Sequence, residues 1–182
     1  MNTSILVVYY FAYGSNMLDC RFNINIPRAK VVGIGQLENY RLDFFGYGKS
    51  WNGSGATIVR ARDSQVWGVI WKMPESKVAD LDRQEGVHVD LYKAIEIKVT
   101  SFSGKVYYCR SYKAVVDPKP AVKLDQLPDN RLPSSLYMKV LIKGAQDHHL
   151  PQDYIKFMKT IRHNNITDVY PEGLEACGLT GH

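Results

Sequence analysis

The sequence predicts an α+β fold, a small and mostly antiparallel sheet with a few helices around it. Three observations carry that prediction. The first two-thirds of the chain is rich in β-branched and aromatic residues, set in short runs between turn residues. Only one helical stretch interrupts those runs, so a βαβ alternation is absent. Four of the eight prolines then fall between Asp117 and Pro133, and the two clearest helical patterns come after them.

Taken in order, Ile5–Tyr13 reads as a fully buried strand. It carries three tyrosines and has no basic residue before it, unlike a secretory signal. Val31–Gln36 and Tyr40–Phe45 read as short strands, as do Ala56–Arg60 and Gln65–Met73. Pro74–Gln84 predicts a helix with Val78 and Leu81 on one face. Pro74 suits its first position, and Gly86 suits the residue after its end. Tyr92–Thr100 alternates Ile95, Ile97 and Val99 with charged residues, as a half-exposed strand does. Ser103-Gly104 supplies a turn, and Lys105–Val115 is the antiparallel partner. The proline-rich Asp117–Pro133 is a surface connection. Ser134 caps a helix running to Lys143, with Gly144 closing it. A last helix spans Pro151–Ile161, with Tyr154, Phe157, Met158 and Ile161 along one stripe. The expected organisation is one domain over residues 1–163 and a loose tail over 164–182.

Composition narrows the function classes. At 182 residues, 45% apolar and 23% charged, the chain can bury a substantial core without disulfide staples. A net charge of +5 from scattered basic residues lacks the clustered stripe of a nucleic-acid surface. No apolar run reaches the roughly 20 residues that span a bilayer. Cys20, Cys109 and Cys177 are odd in number and widely spaced, with no CxxC. Neither a disulfide scaffold nor a zinc ribbon is expected, and the cysteine usage fits a reducing, cytoplasmic setting.

Three motifs are decoys. Gly48-Lys49-Ser50 resembles the end of a phosphate loop, but Asp43 stands where the first glycine belongs. His148-His149 are adjacent and point about 100° apart on a helix, which suits a solvated pair better than a metal site. Ser15 lies outside a Gly-x-Ser-x-Gly elbow.

Two segments carry chemistry. In Tyr10-Phe11-Ala12-Tyr13-Gly14-Ser15-Asn16-Met17 a buried strand stops at Gly14, and Asn16 and Asp19 offer caps for a helical turn. Backbone amides around such a turn can form a nest for an anion. In Leu81-Asp82-Arg83-Gln84-Glu85-Gly86-Val87, Glu85 falls at the C-terminal end of the predicted helix. An ionised carboxylate there opposes the helix dipole at a cost of about 0.3–1 kcal/mol. The same field, with burial, raises its pKa and makes it a candidate general base. A plain strand-to-helix turn and an exposed glutamate are the competing readings of the two local patterns.

The chain resembles the γ-glutamylcyclotransferases. The resemblance rests on Tyr10–Asn16, Leu37, Tyr40–Phe44, Ala56-Thr57-Ile58, Val66–Val69, Trp71-Lys72-Met73 and Leu81-Asp82. It continues through Gln84–Val87, Tyr92, Cys109–Tyr112, Tyr137, Gly144-Ala145 and Leu150-Pro151, covering about Tyr9 to Ile161. It implies a small mixed β-barrel with flanking helices. It also implies that γ-glutamyl amino acids are cyclised to 5-oxoproline with release of the free amino acid. Glu85 matches the catalytic glutamate. Tyr10, Phe11, Ala12, Tyr13, Gly14, Ser15 and Asn16 match the substrate loop, and Tyr92 and Tyr137 match tyrosines of the site. No metal, nucleotide or redox cofactor is implied, and a homodimer is compatible. The Lys49–Gly55 loop, Asp117–Pro133 and the tail depart from the pattern. Two alternatives stand beside this one: a γ-glutamylamine cyclotransferase, and a non-catalytic binding protein on the same fold.

Overall fold

A computed structural model of the chain describes residues 6–168, 171 and 173–179. Five strands form the sheet: β1 (Val7–Ala12), β2 (Lys30–Gly48), β3 (Gly53–Pro74), β4 (Tyr92–Ser101) and β5 (Val106–Ala114). They close into a barrel in the order β1-β3-β2-β4-β5. Neighbours are antiparallel, except at the seam, where β1 and β5 run parallel and pair at Tyr10 and Arg110.

A seam of one bridge needs help, and side chains supply it. Ser111 donates its hydroxyl to the Phe11 carbonyl at 2.9 Å, and the Tyr13 hydroxyl donates to the Tyr112 carbonyl. Further along β5, the Ala114 amide donates to Thr57 Oγ1 of β3 at 2.9 Å. Ser111 and Thr57 are fully buried. These polar groups therefore satisfy backbone atoms that the ladder leaves open.

The sequence locates the apolar runs correctly but divides the strands wrongly. The four short strands expected between residues 31 and 73 are two long ones, of 19 and 22 residues. The polar breaks between the runs are irregularities inside continuous strands. Register shifts fall between Val31 and Gly33, Glu38 and Tyr40, and Phe45 and Gly48. Asn39 and Asp63 take left-handed backbone there (φ 60° and 59°), and the Asp63 amide donates to Asn39 Oδ1. Such bulges bend a strand without ending it, which is how long strands wrap a small barrel.

Four helices flank the barrel: α1 (Asp19–Asn25), α2 (Val78–Gln84), α3 (Ser135–Asp147) and α4 (Gln152–Lys159). A 3₁₀ turn over Glu75–Lys77 precedes α2. Gly86, at φ 69°, follows its end in the left-handed conformation expected of it. Ser134 caps α3 by accepting the Tyr137 amide at 3.1 Å. Gly144 does not close α3, which runs on to Asp147. A Cβ on Gly144 would lie 2.9 Å from the Leu18 nitrogen and the Met17 carbonyl carbon. This glycine marks a close crossing, not a helix end. Beyond the helix, His148 is not solvated: its Nε2 meets Asp19 Oδ1 at 2.6 Å, and its ring meets Trp71 edge-on.

The described part of residues 164–179 is packed, where the sequence suggests a loose tail. Leu174 joins Leu18, Leu136 and Val140 in a small second core. Cys177 forms a disulfide with Cys20 of α1, their Cα atoms 5.5 Å apart. This corrects the expectation that the cysteines form no disulfide. The partners are 157 residues apart, and linear spacing carries no sign of a pair that only the fold brings together. Cys109 is free and buried in the main core, and burial pushes its thiol up to about 12. Among the described residues, no helix is long and apolar enough to cross a membrane.

Candidate active site

At one mouth of the barrel lies a cavity of about 230 Å³. The end of β1 and the turn after it supply Tyr10, Tyr13, Gly14, Ser15 and Asn16. The end of α2 supplies Gln84 and Glu85, while β4, β5 and α3 supply Tyr92, Tyr112 and Tyr137. The β2–β3 hairpin closes one wall with Phe45, Tyr47 and Trp51. Thus Glu85, Tyr10, Tyr13, Gly14, Ser15, Asn16, Tyr92 and Tyr137 are brought together as the sequence expects. Phe11 and Ala12 are not among the lining residues. They are 0% and 1% exposed and belong to the core. Their contribution is packing: the Phe11 ring and the Ala12 carbonyl fill the space beside Gly68.

Glu85 is the residue on which the arrangement converges. It occupies the C-cap of α2, with its amide bonded to the Leu81 carbonyl at 3.0 Å. Its Oε1 accepts from Asn16 Nδ2 at 3.0 Å, and the same amide nitrogen lies 3.1 Å from the Tyr10 hydroxyl. Asn16 Oδ1 accepts from Gln84 Nε2 at 2.9 Å, and the Asn16 carbonyl accepts from Trp71 Nε1 at 3.1 Å. With both ends of the Asn16 side-chain amide engaged, its geometry suits orienting Glu85 more than grasping a ligand. Burial pushes the Glu85 carboxyl up to about 7. The positive charge of Arg21 and the Asn16 hydrogen bond oppose that rise, while Asp82 adds to it.

The tyrosines form a polar rim on an apolar wall. The Tyr92 hydroxyl donates to the Ala56 carbonyl at 2.8 Å, and the Ala56 amide donates to the Tyr137 hydroxyl at 3.1 Å. Burial raises the pKa of Tyr10, Tyr13 and Tyr92 well above the ordinary value and that of Tyr137 to about 12. All four stay protonated at neutral pH and can donate hydrogen bonds. Asp82, three residues before Glu85, accepts from Arg110 at 2.6 and 2.8 Å and from the Tyr112 hydroxyl. Two motifs far apart in sequence are thus one ion-paired cluster, and it ties the end of α2 to β5.

Sequence reasoning misses Arg21, Trp51, Gln84 and Tyr112 in the lining. Among the described residues, Arg21 is the only Lys or Arg there, and Glu85 the only acid. Its one sequence signal is position: it is the first basic residue after the Gly14–Asn16 turn, on the short α1. Trp51 sits in the loop that departs from the family pattern and packs edge-on against Tyr137, with ring centroids 4.8 Å apart.

The five strands thus close into a barrel whose mouth holds one carboxyl, Glu85, with its pKa raised to about 7. The profile of the AIG2-like family matches residues 65–158. The γ-glutamylcyclotransferases of Mus musculus and Homo sapiens are 38% and 37% identical to this chain over 170 residues. That stretch is 91% of this chain and 85% of each relative. A solved γ-glutamyl cyclotransferase superposes with a TM-score of 0.84 at 34% identity, covering 94% of this chain and 98% of that one. The chain belongs to the γ-glutamylcyclotransferase family.

Proposed function

We propose that this chain cyclises γ-glutamyl amino acids to 5-oxoproline and releases the free amino acid, with Glu85 as the general acid and base. The observation that carries the reading is the Glu85 carboxyl, half-buried at the cavity wall, held by Asn16 and raised to about 7. A carboxyl so placed can exchange protons in both directions near neutral pH.

The substrate brings its own nucleophile and electrophile. Glu85 takes a proton from the α-ammonium, and the freed amine attacks the γ-carbonyl carbon. The amides of the Gly14–Asn16 turn stabilise the resulting oxyanion, in a site where the Tyr137 hydroxyl lies alongside. The C–N bond to the leaving amino acid then breaks, and Glu85 returns the proton to the departing amine. The enzyme's main contribution is to hold the chain folded on itself, which can be worth effective molarities of about 10⁵–10⁸ M. No metal, nucleotide or redox group enters this scheme.

The test is incubation with γ-glutamyl-alanine, assayed for 5-oxoproline, beside the Nα-acetyl derivative. Release of 5-oxoproline and alanine only from the free amine supports the reading. Release of alanine from the acetylated substrate points to hydrolysis. Turnover of γ-glutamyl-ε-lysine in preference to γ-glutamyl-alanine would favour the γ-glutamylamine alternative. The proposed homodimer is checked by light scattering. The proposed cytoplasmic location stands against the Cys20–Cys177 disulfide, and thiol trapping during isolation from cells decides between them.

A further inference from the structure

Among the described residues, Arg21 is the one cation in the lining of the cavity, and none of them pairs with it. Among the described residues it makes no ion pair, and its buried Nε has no hydrogen-bond partner. Its neighbours in α1 are tied down: Cys20 by the disulfide, and Phe22 by burial against Tyr10 and Trp71. The guanidinium is therefore presented by a fixed helix while its Nε finds no partner among the described residues. A buried donor without a partner costs free energy unless something else completes it. Kept in a site, it marks a group that a ligand satisfies.

A γ-glutamyl compound offers two carboxylates, one on the α-carbon and one on the leaving amino acid. The α-carboxylate is one carbon from the amine that Glu85 must reach. The other is separated from that amine by the whole γ-glutamyl chain. Arg21 and Glu85 line the same cavity, close enough for the arginine's charge to act on the carboxyl yet outside ion-pair distance. That gap leaves room for a ligand group between them. An α-amino acid head is a zwitterion, and a site holding one anion and one cation matches it charge for charge.

We propose that Arg21 binds the α-carboxylate of the γ-glutamyl substrate, and with Glu85 forms a two-point clamp that fixes the α-amine for attack. This rests on the γ-glutamyl reading above and adds to it the recognition of the α-carboxylate. A guanidinium suits the task because its planar fork matches a carboxylate bidentately.

The experiment compares γ-glutamyl-alanine with γ-aminobutyryl-alanine. The second lacks only the α-carboxylate and can still cyclise, to 2-pyrrolidinone. Arg21→Gln should lower kcat/KM for γ-glutamyl-alanine about ten- to a hundredfold, mainly through KM, as for loss of a hydrogen bond to a charged group. Its effect on γ-aminobutyryl-alanine should be under about threefold. Arg21→Lys should recover part of the loss. γ-Glutamyl-alanine amide, which lacks the other carboxylate, should suffer as much as γ-glutamyl-alanine. Equal losses on both dipeptides would overturn the proposal and assign Arg21 a structural role. A loss that disappears with the amide would move Arg21 to the leaving group and overturn it too. A second arm removes turnover: calorimetric titration of both dipeptides into Glu85→Gln, with and without Arg21→Gln. Weaker binding of γ-glutamyl-alanine alone upholds Arg21 even if the wild-type chain releases no 5-oxoproline, an outcome that would sink the activity and not the clamp. No binding of γ-glutamyl-alanine to Glu85→Gln overturns the clamp.

Discussion

Glu85 breaks two ordinary rules at once: it puts a carboxylate at the C-terminal end of a helix and takes it partly out of water. Both favour the protonated form, and the kinetic consequence has a sign. The working base is the carboxylate, so kcat/KM should fall on the acid side of about pH 7. Glu85→Gln should lower kcat by about 10²–10⁴ while the chain stays folded. A rate–pH profile of wild type and Glu85→Asp checks the assignment, since an acid limb indifferent to that change belongs to another group. Stability carries the opposite sign. The folded chain keeps the Glu85 proton up to about pH 7, whereas the unfolded chain releases it near 4.5. Folding therefore weakens as pH rises between those values. Glu85→Gln should unfold at higher temperature than wild type at pH 8, by about 1–3 kcal/mol in stability, and show no advantage at pH 4. The rule-breaking position made Glu85 legible in the sequence. Arg21 was not legible, because an arginine on a short helix looks like any solvated one until the cavity is seen.

At the level of elements, the crossing of α3 over the site turn sets how closely the catalytic side chains are held. Gly144→Ala would push a methyl group into the backbone of Met17 and Leu18. We expect a loss of about 1–3 kcal/mol in stability from overpacking. Because the same turn carries Asn16, kcat/KM should fall as well, by more than the loss of folded protein explains. Denaturant titration and kinetics on one preparation separate the two. Ser111→Ala should cost about 1–3 kcal/mol by leaving the Phe11 carbonyl unsatisfied at the barrel seam, with no comparable effect on KM. The helices were legible because their caps and stripes are local. Ser134 and Gly86 behave as their residue types predict, whereas Gly144 does not, since the same residue serves an end or a close approach. The long β2 and β3 were read as fragments for a related reason. Asn39 and Asp63 signal a turn in a chain seen alone and a bulge in a sheet.

Across the whole molecule, closure of the barrel and docking of the residues after 163 depend on partners remote in sequence. Tyr10 meets Arg110, Cys20 meets Cys177, and Asn164 donates to the Asn52 carbonyl at 2.8 Å. Local pattern cannot report such pairs: it leaves closure of the sheet open, and the family resemblance implies the barrel. In the chain-entropy picture, a crosslink spanning 157 residues is worth about 5 kcal/mol. Cys177→Ser, or reduction by dithiothreitol, should therefore lower the thermal midpoint, and a midpoint indifferent to both would mean the bond does not form. The crosslink also changes what a protease can achieve. It makes a ring of every residue from Cys20 to Cys177, with strands β2 to β5 inside it and β1 outside. One cut in the hairpin loop near Trp51 would leave both pieces joined, migrating as a single band until a reductant opens the ring.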